Sequence, residues 1–409
     1  SLKDINKLGK MGMKTLALYV STTLLAVVLG LVLVNIFGPG RNQDDATRTR
    51  NRIAYELWRN DNHIKALDDQ NLYLLPENAA LVKELRGTKD KSADNEWVKD
   101  KLQKAQNEKA SKAKDGPLKP LVDVVPTNIF QSLSGMSMLQ IIFFAIFFGV
   151  ALVMIPPKSA GPVLKVCSGL NDVFIKMILI VMKGMPFFVF ALMTGQIVSV
   201  AGGDLDAFFG LLDFYWQYAL VVVLGLIILA FVFYPTFIQL FVRKMGGLRF
   251  IRGMRMAQIT AFSTSSSLAT LPVTMDCVHN NLGVSERTSS FVLPIGATIN
   301  MDGTSFYQAV AVVAMAQFHM IDLSFGQQAT IILTATLASI GAAAIPSAGL
   351  VLMILVLESV GLNSAWIAII FPVDRILDMC RTVVNVTGDG MVSAVIANSE
   401  GELNIDTVQ

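Results

Sequence analysis

Long apolar stretches alternate with short polar links along most of this chain, and the interruptions of that rhythm carry its chemistry. Met11 to Phe37 is an unbroken apolar run, long enough as a helix to cross a bilayer about 30 Å thick, and it stops at Gly38, Pro39 and Gly40. Pro126 to Ile155 is a second apolar region whose polar break, Gln131 to Ser137, predicts two helical pieces ended by Pro156 and Pro157. Val163 to Val200 and Phe208 to Val242 predict two further spans. Phe250 to Leu282 differs: its centre, STSSSLATLP, is a run of hydroxyl and small residues with arms too short to cross alone, which predicts a re-entrant hairpin. Non-helical backbone at such depth persists only where protein buries it or it lines a wet cavity. Ser285 to Phe318 is a long helix interrupted by NMDGT, Asn300 to Thr304. Leu323 to Val360 repeats the hairpin around IGAAAIPSAG, and Asn363 to Asn398 is the last span. Two interrupted segments, each followed by a helix with a polar centre and entering from opposite sides, predict an inverted repeat with a binding site between its halves.

Composition agrees with a chain made for lipid: of 409 residues 53% are hydrophobic and 16% charged. The fold class is therefore an all-α, polytopic membrane protein. Nearly half of the charges lie between Arg41 and Lys119, a stretch read as a solvated insertion, with Lys91 to Lys114 a candidate polar helix. The net charge of +2 offers nothing to nucleic acid, but the placement of bases is informative. Lys3, Lys7, Lys10 and Lys14 flank the first span, Lys158 and Lys165 follow Pro157, and Arg243 to Arg255 is the most basic link. The link with Asp204 and Asp206 carries no base. By the positive-inside rule the start, the links at 156–165 and 243–255 and the tail from Asn398 are cytoplasmic, and the insertion is outside. Cys167, Cys277 and Cys380 are widely spaced in apolar surroundings and read as packing residues.

The last span holds the sharpest feature. In DRILDMCRTVVNVTGD, Asp374, Asp378, Arg381, Thr382, Asn385 and Asp389 share one face of a helix. An ionisable group at membrane depth is costly and points to function. Arg381 keeps its charge and presents a planar fork, so it requires an internal partner such as Asp378 or Asp374, or an anionic ligand. An arginine and an aspartate three residues apart can read the two ends of an acidic amino acid. Asn300 and Asp302, with Asn385 and Asp389, supply oxygen ligands for a hard cation. The hairpin tips, Ser265 to Ser267 and Ile345 to Gly349, offer free N–H groups to an anion. Two rival classes are weaker: a serine hydrolase lacks any base near Ser265 to Ser267 except His279, and a channel is poorly served by mixed charges suited to occluding a zwitterion.

These motifs, TSSSLATLP, LPIGATINMDGT, LASIGAAAIPSAG and DRILDMCRTVVNVTGD, occur in an order that resembles the dicarboxylate/amino acid:cation symporters, the sodium-coupled glutamate/aspartate transporters. The resemblance covers everything but the insertion. It implies a sodium-driven, elevator-type carrier, not an enzyme, that works as a homotrimer in the cell membrane. It implies a scaffold from 1–37 and 126–247, an extracellular insertion at 38–125 and a transport core at 248–409. Within that core lie hairpins at 248–282 and 323–360, a broken helix at 285–318 and a substrate helix at 363–398. By the same resemblance Arg381 binds the substrate's side-chain carboxylate and Asp378 its ammonium, with Ser266, Ser267, Thr304, Ile345, Gly349, Thr382 and Asn385 completing the pocket. Sodium ions are assigned to three groups: Gly296, Asn300, Asn385 and Asp389; Tyr19, Thr22, Thr23, Asn300 and Asp302; and Thr298, Met301, Ser339 and Ile340.

Departures from the pattern are informative too. Two helices expected before Met11 are absent, so the chain is expected to be a fragment lacking part of the scaffold. Relatives carry a second arginine at the positions of Ser265 or Met379 here; Arg375, one turn before Met379, is either its replacement, a structural pair or a group reaching toward the cytoplasm. A C4-dicarboxylate, which keeps the need for Arg381 but not for Asp378, is the alternative substrate.

Overall fold

The computed structural model of the protein describes residues 5–42, 45–62, 64, 67–68, 70–87, 125–134, 138–170, 205–340 and 348–405, with isolated positions from 173 to 194. Among them every regular element is helical, and the only β pairing is a single bridge between Val284 and Leu403. They fall into two units, Ser1–Asp94 with Met193–Gln409, and Asn95–Leu192.

The larger unit begins with α1 (Ile5–Phe37), and α2 (Asp45–Asp61) and α3 (Ala79–Gly87) come from the charged insertion. In the smaller unit α4 (Ile129–Ser134) and α5 (Met138–Met154) flank the expected polar break, and Ser132 Oγ donates to Gln140 Oε1 at 2.7 Å. A further helix, α6, covers 157–170. The rest of the span expected to Val200, and the polar helix expected from Lys91 to Lys114, lie outside the described residues.

In the larger unit α7 (Leu205–Ile228) passes through a π turn at Leu229–Phe233 into α8 (Tyr234–Phe241). The stretches Gly9–Phe37 and Leu212–Phe241 are each long and apolar enough to cross a membrane. Helices α9 (Gly247–Thr264) and α10 (Ser267–Asp276) meet at a sharp turn. There Ser265 adopts the left-handed region at φ 51°, and the Ser266 hydroxyl accepts from Ala269 N, capping α10. The hydroxyl run thus ends one helix and starts the next. Helices α11 (Glu286–Ile299) and α12 (Asp302–Phe318) are separated by Asn300 and Met301, inside NMDGT. Then α13 (Phe325–Ile340) and α14 (Ala348–Ser359) follow, and 341–347 between them lie outside the described residues. The last helix, α15 (Ile367–Glu400), ends at Gly401, whose φ of 70° is the left-handed conformation that suits glycine at a helix terminus.

The centre of the unit is α12, buried along its whole length and packed against α1, α7, α13, α14 and α15. A helix that is covered on every face needs no polar side, so its polar residues call for another explanation. Helix α1, expected as a scaffold helix, runs along α12 and hydrogen-bonds it through Thr23.

The insertion departs from the solvated reading at α2. Arg52 is fully buried; its Nε donates to Glu56 Oε1 at 2.6 Å and its Nη1 to Asp68 Oδ2 at 2.8 Å and to the Met320 carbonyl at 3.1 Å. Tyr55 stacks on Trp58 and leans on Trp366, whose indole stacks on His319 at 3.5 Å. Aromatic burial plus a fully paired arginine is what docks this otherwise charged helix on the ends of α12 and α15.

Candidate functional site

The site is built where the break between α11 and α12 meets the polar stripe of α15. Helix α12 starts at Asp302, so the first peptide groups after the break have free N–H donors aimed at α15. Gly303 N donates to Asn385 Oδ1 at 2.8 Å, and Asn385 Nδ2 reaches Met301 Sδ at 3.3 Å and Thr304 Oγ1 at 3.4 Å. Gly349, at the start of α14, comes so close that a Cβ there would lie 2.5 Å from Thr304 Cγ2 and 3.5 Å from Arg381 Nη1. Its carbonyl accepts from Gln308 Nε2 at 2.9 Å. The structure thereby brings together Thr304, Gly349, Arg381, Asn385 and Met301.

Arg381, 1% exposed, is the charge at the centre of this group. Its Nη2 donates to Asp378, its Nη1 lies 3.2 Å from Asp374 Oδ1, and its guanidinium carbon sits 4.1 Å above the centre of the Tyr307 ring. Tyr307 also donates its hydroxyl to Asp374 at 2.9 Å. Nε and Nη1 of Arg381 have no hydrogen-bond partner among the described residues, and burying such donors without partners costs about 1–3 kcal/mol each. A planar, doubly charged-paired guanidinium with spare donors is a receptor for a carboxylate. Thr382 is buried beside it, its hydroxyl spent on the Asp378 carbonyl at 2.8 Å.

A second cluster lies on the other side of the break. Asp302 accepts from Thr23 at 2.6 Å and from Tyr234 at 2.8 Å, and Asn300 Nδ2 donates to Asp389 Oδ1 at 2.9 Å. A Cβ on Gly296 would lie 2.4 Å from both Asp389 Oδ1 and the Tyr19 hydroxyl, so only glycine leaves those oxygens room. Tyr19, Thr22, Asn300, Asp302 and Asp389 are all buried, and Asn300 Oδ1 lacks a hydrogen-bond partner among the described residues. Carboxylates, an amide oxygen, hydroxyls and the free carbonyls at the end of α11 form a donor set for an alkali cation.

Other expected residues are placed apart. Ser267 is buried at the head of α10, and among the described residues no hydrogen bond joins it to the stripe. Ser266 serves as the cap of α10. Thr298 and Ser339 spend their hydroxyls on Ile295 and Thr336 carbonyls of their own helices, and no hydrogen bond between them is present among the described residues. Ile340 closes α13, and Ile345 lies outside the described residues. His279 binds the Val284 carbonyl at 2.9 Å, at the far end of α10 from the serines that a hydrolase would need it to activate.

Three residues in these clusters escaped the sequence reading: Tyr307, Gln308 and Tyr234. Thr304, Tyr307 and Gln308 stand at i, i+3 and i+4, a polar face legible in a helix otherwise apolar. Tyr234 follows a long apolar run and carries no such spacing; its marker is the π turn that precedes it, a structural feature frequent at functional sites.

Known proteins resemble this chain over most of its length. The sodium:dicarboxylate symporter family matches residues 1–399. An excitatory amino acid transporter of Caenorhabditis elegans is 36% identical over 402 residues, 96% of this chain and 74% of its own length. Excitatory amino acid transporter 3 of Oryctolagus cuniculus is 35% identical over 409 residues, and its Homo sapiens counterpart 36% over 401 residues. Each alignment takes in 96% of this chain and 72% of the relative. With nearly the whole chain matched, and the polar break facing a charged stripe inside an apolar helical core, the chain belongs to the sodium:dicarboxylate symporter family.

Proposed function

We propose that the chain is a secondary active symporter that couples sodium influx to uptake of an acidic amino acid, aspartate or glutamate. Membership in the family makes it a transporter and not an enzyme, with sodium as the co-transported ion. The observation that carries the substrate reading is Arg381: buried, paired with two carboxylates, and with Nε and Nη1 making no hydrogen bond among the described residues. An incoming side-chain carboxylate satisfies those donors, and the ammonium takes the Asp378 carboxylate that Arg381 leaves. Thr304, Asn385 and the backbone at Gly349 frame the pocket, with Ser266, Ser267, Ile345 and Thr382 completing it.

One sodium ion occupies Gly296, Asn300, Asn385 and Asp389 and a second Tyr19, Thr22, Thr23, Asn300 and Asp302, with Asn385 reaching both substrate and ion. A third ion is assigned to Thr298, Met301, Ser339 and Ile340. The division of labour is physical: Asp302 opens α12 just after the break and Asp389 on α15 holds Asn300 within it, so a cation joining the two carboxylates pulls α11, α12 and α15 together and sets Asn385 for the substrate. Binding of one ligand thus assists the other.

In the membrane the two helix pairs α9–α10 and α13–α14 are re-entrant hairpins of an inverted repeat, and the core at 248–409 moves as an elevator against the helices of 126–247. Helix α1 travels with the core, because Thr23 holds Asp302. The protein is a homotrimer in the plasma or inner membrane, with a cytoplasmic C-terminus. A C4-dicarboxylate is the second reading, favoured by the family's description; it leaves Asp378 without an ammonium to meet. Competition of aspartate uptake by succinate separates the two: succinate acting at the concentrations where glutamate acts supports the dicarboxylate.

A further inference from the structure

Arg375 is a charged side chain deep in the same helix that the substrate and sodium assignments leave unused. Asp374, Arg375, Asp378 and Arg381 place four charges on two turns of α15, two negative and two positive. They are not equivalent. Arg381 is held by Asp374, by Asp378 and by the face of Tyr307. Among the described residues Arg375 has one ion pair, Nη1 to Asp378 Oδ2 at 3.5 Å, and that nitrogen is buried without a hydrogen bond. Its side chain is 15% exposed against 1% for Arg381, so it stands on the more open side of the cluster.

We propose that Arg375 is a specificity-determining residue that selects ligands carrying two carboxylates over neutral amino acids; this rests on the reading of the pocket as an acidic-amino-acid site. When a ligand ammonium takes Asp378, both guanidinium groups lose that partner. Arg381 keeps Asp374 and Tyr307 and gains the distal carboxylate. Arg375 keeps no ion pair among the described residues, and its positive charge is then free to meet the ligand. With Arg375 the four-residue cluster is neutral and an acidic amino acid adds one net negative charge. Without it the cluster is already negative, and that ligand is opposed while a neutral amino acid is not. A neutral amino acid whose ammonium takes Asp378 brings no second carboxylate in exchange, so the guanidinium groups lose a partner and regain none, which is a selection against it.

The test is sodium-driven aspartate uptake by the reconstituted protein, with asparagine as the neutral isostere competing. For Arg375→Gln the aspartate KM rises at least tenfold with kcat within twofold, and the ratio of the asparagine to the aspartate inhibition constant falls at least tenfold. Arg375→Lys, which keeps the charge and loses the fork, stays within about threefold of wild type in KM; it also serves as the test if the Gln variant does not fold. An unchanged aspartate KM in Arg375→Gln, or an equal loss for aspartate and asparagine, overturns the inference, as does a Lys variant with tenfold weaker aspartate uptake. Wild-type protein without sodium-driven aspartate uptake overturns the pocket reading itself, an outcome distinct from these.

Discussion

Arg381 and Asp378 are three residues apart and buried together, and in the proposed function that pair decides what the pocket accepts. Arg381→Ala removes the charge-assisted bonds to a substrate carboxylate, worth about 3 kcal/mol for a forked contact. Uptake of aspartate falls roughly 100-fold, while neutral amino acids begin to compete, because nothing in the pocket then requires a second carboxylate; transport competition assays read both. Tyr234 is the corresponding residue on the cation side. Its hydroxyl donates to Asp302 at 2.8 Å, so Tyr234→Phe removes one bond to a carboxylate and raises the half-saturating sodium concentration roughly fivefold. A sodium titration at fixed aspartate checks it, and an unchanged half-saturation would show that the phenol is a packing group. The stripe from Asp374 to Asp389 was legible in the sequence because a helical period acts on one segment alone. Tyr234 was not, since its partner Asp302 is distant in the chain and only the fold brings them together.

At the scale of elements, the break between α11 and α12 is the main device. Apolar flanks made NMDGT readable as a break, and the turn between α9 and α10 was readable from its serines for a similar reason: hydroxyl side chains cap helices locally. What the pattern did not disclose is packing. Helix α1 reads as any apolar span, yet Thr23 donates to Asp302 at 2.6 Å; a threonine in a membrane helix gives no sign of the helix it faces. Likewise α2 reads as soluble, and its burial depends on Asp68 and Met320 arriving beside Arg52. Asp302→Asn keeps the shape of the break and removes one charge from the cation cluster. The sodium dependence of uptake weakens while expression and melting temperature change little; full sodium dependence in that variant would exclude the cation role.

The docked end of α12 also carries a pH dependence. His319, one residue beyond the helix, is buried against Trp366. Burial pushes its imidazole from the usual 6.5 down to about 3, opposed by the Met315 carbonyl and aided by the charge of Arg52. The folded value lies below the unfolded one, so between those limits the unfolded chain binds the proton and the folded chain does not. The stability this group contributes is complete above pH 6.5 and is lost as pH falls toward 3. Melting temperatures between pH 7 and pH 4.5 should therefore fall with pH, and less steeply in His319→Phe than in wild type. Parallel slopes in the two proteins would remove His319 from the account.

For the whole molecule, the two clusters share α12 and α15, and this is what makes coupling a consequence of the fold. Asn385 bonds the first peptide group of α12, and Asp389, one turn further along α15, bonds Asn300 within the break. In the proposed function a cation that draws Asp302 and Asp389 toward the break therefore sets the position of Asn385 in the substrate pocket. Sodium and substrate binding should be mutually dependent to the same factor, measured from either side. The most direct measurement is accumulation of labelled aspartate in proteoliposomes containing the purified protein, with and without an inward sodium gradient. The account predicts accumulation above equilibrium that needs the sodium gradient and is lost in Arg381→Ala; accumulation independent of sodium, or mere equilibration down the aspartate gradient, would contradict it.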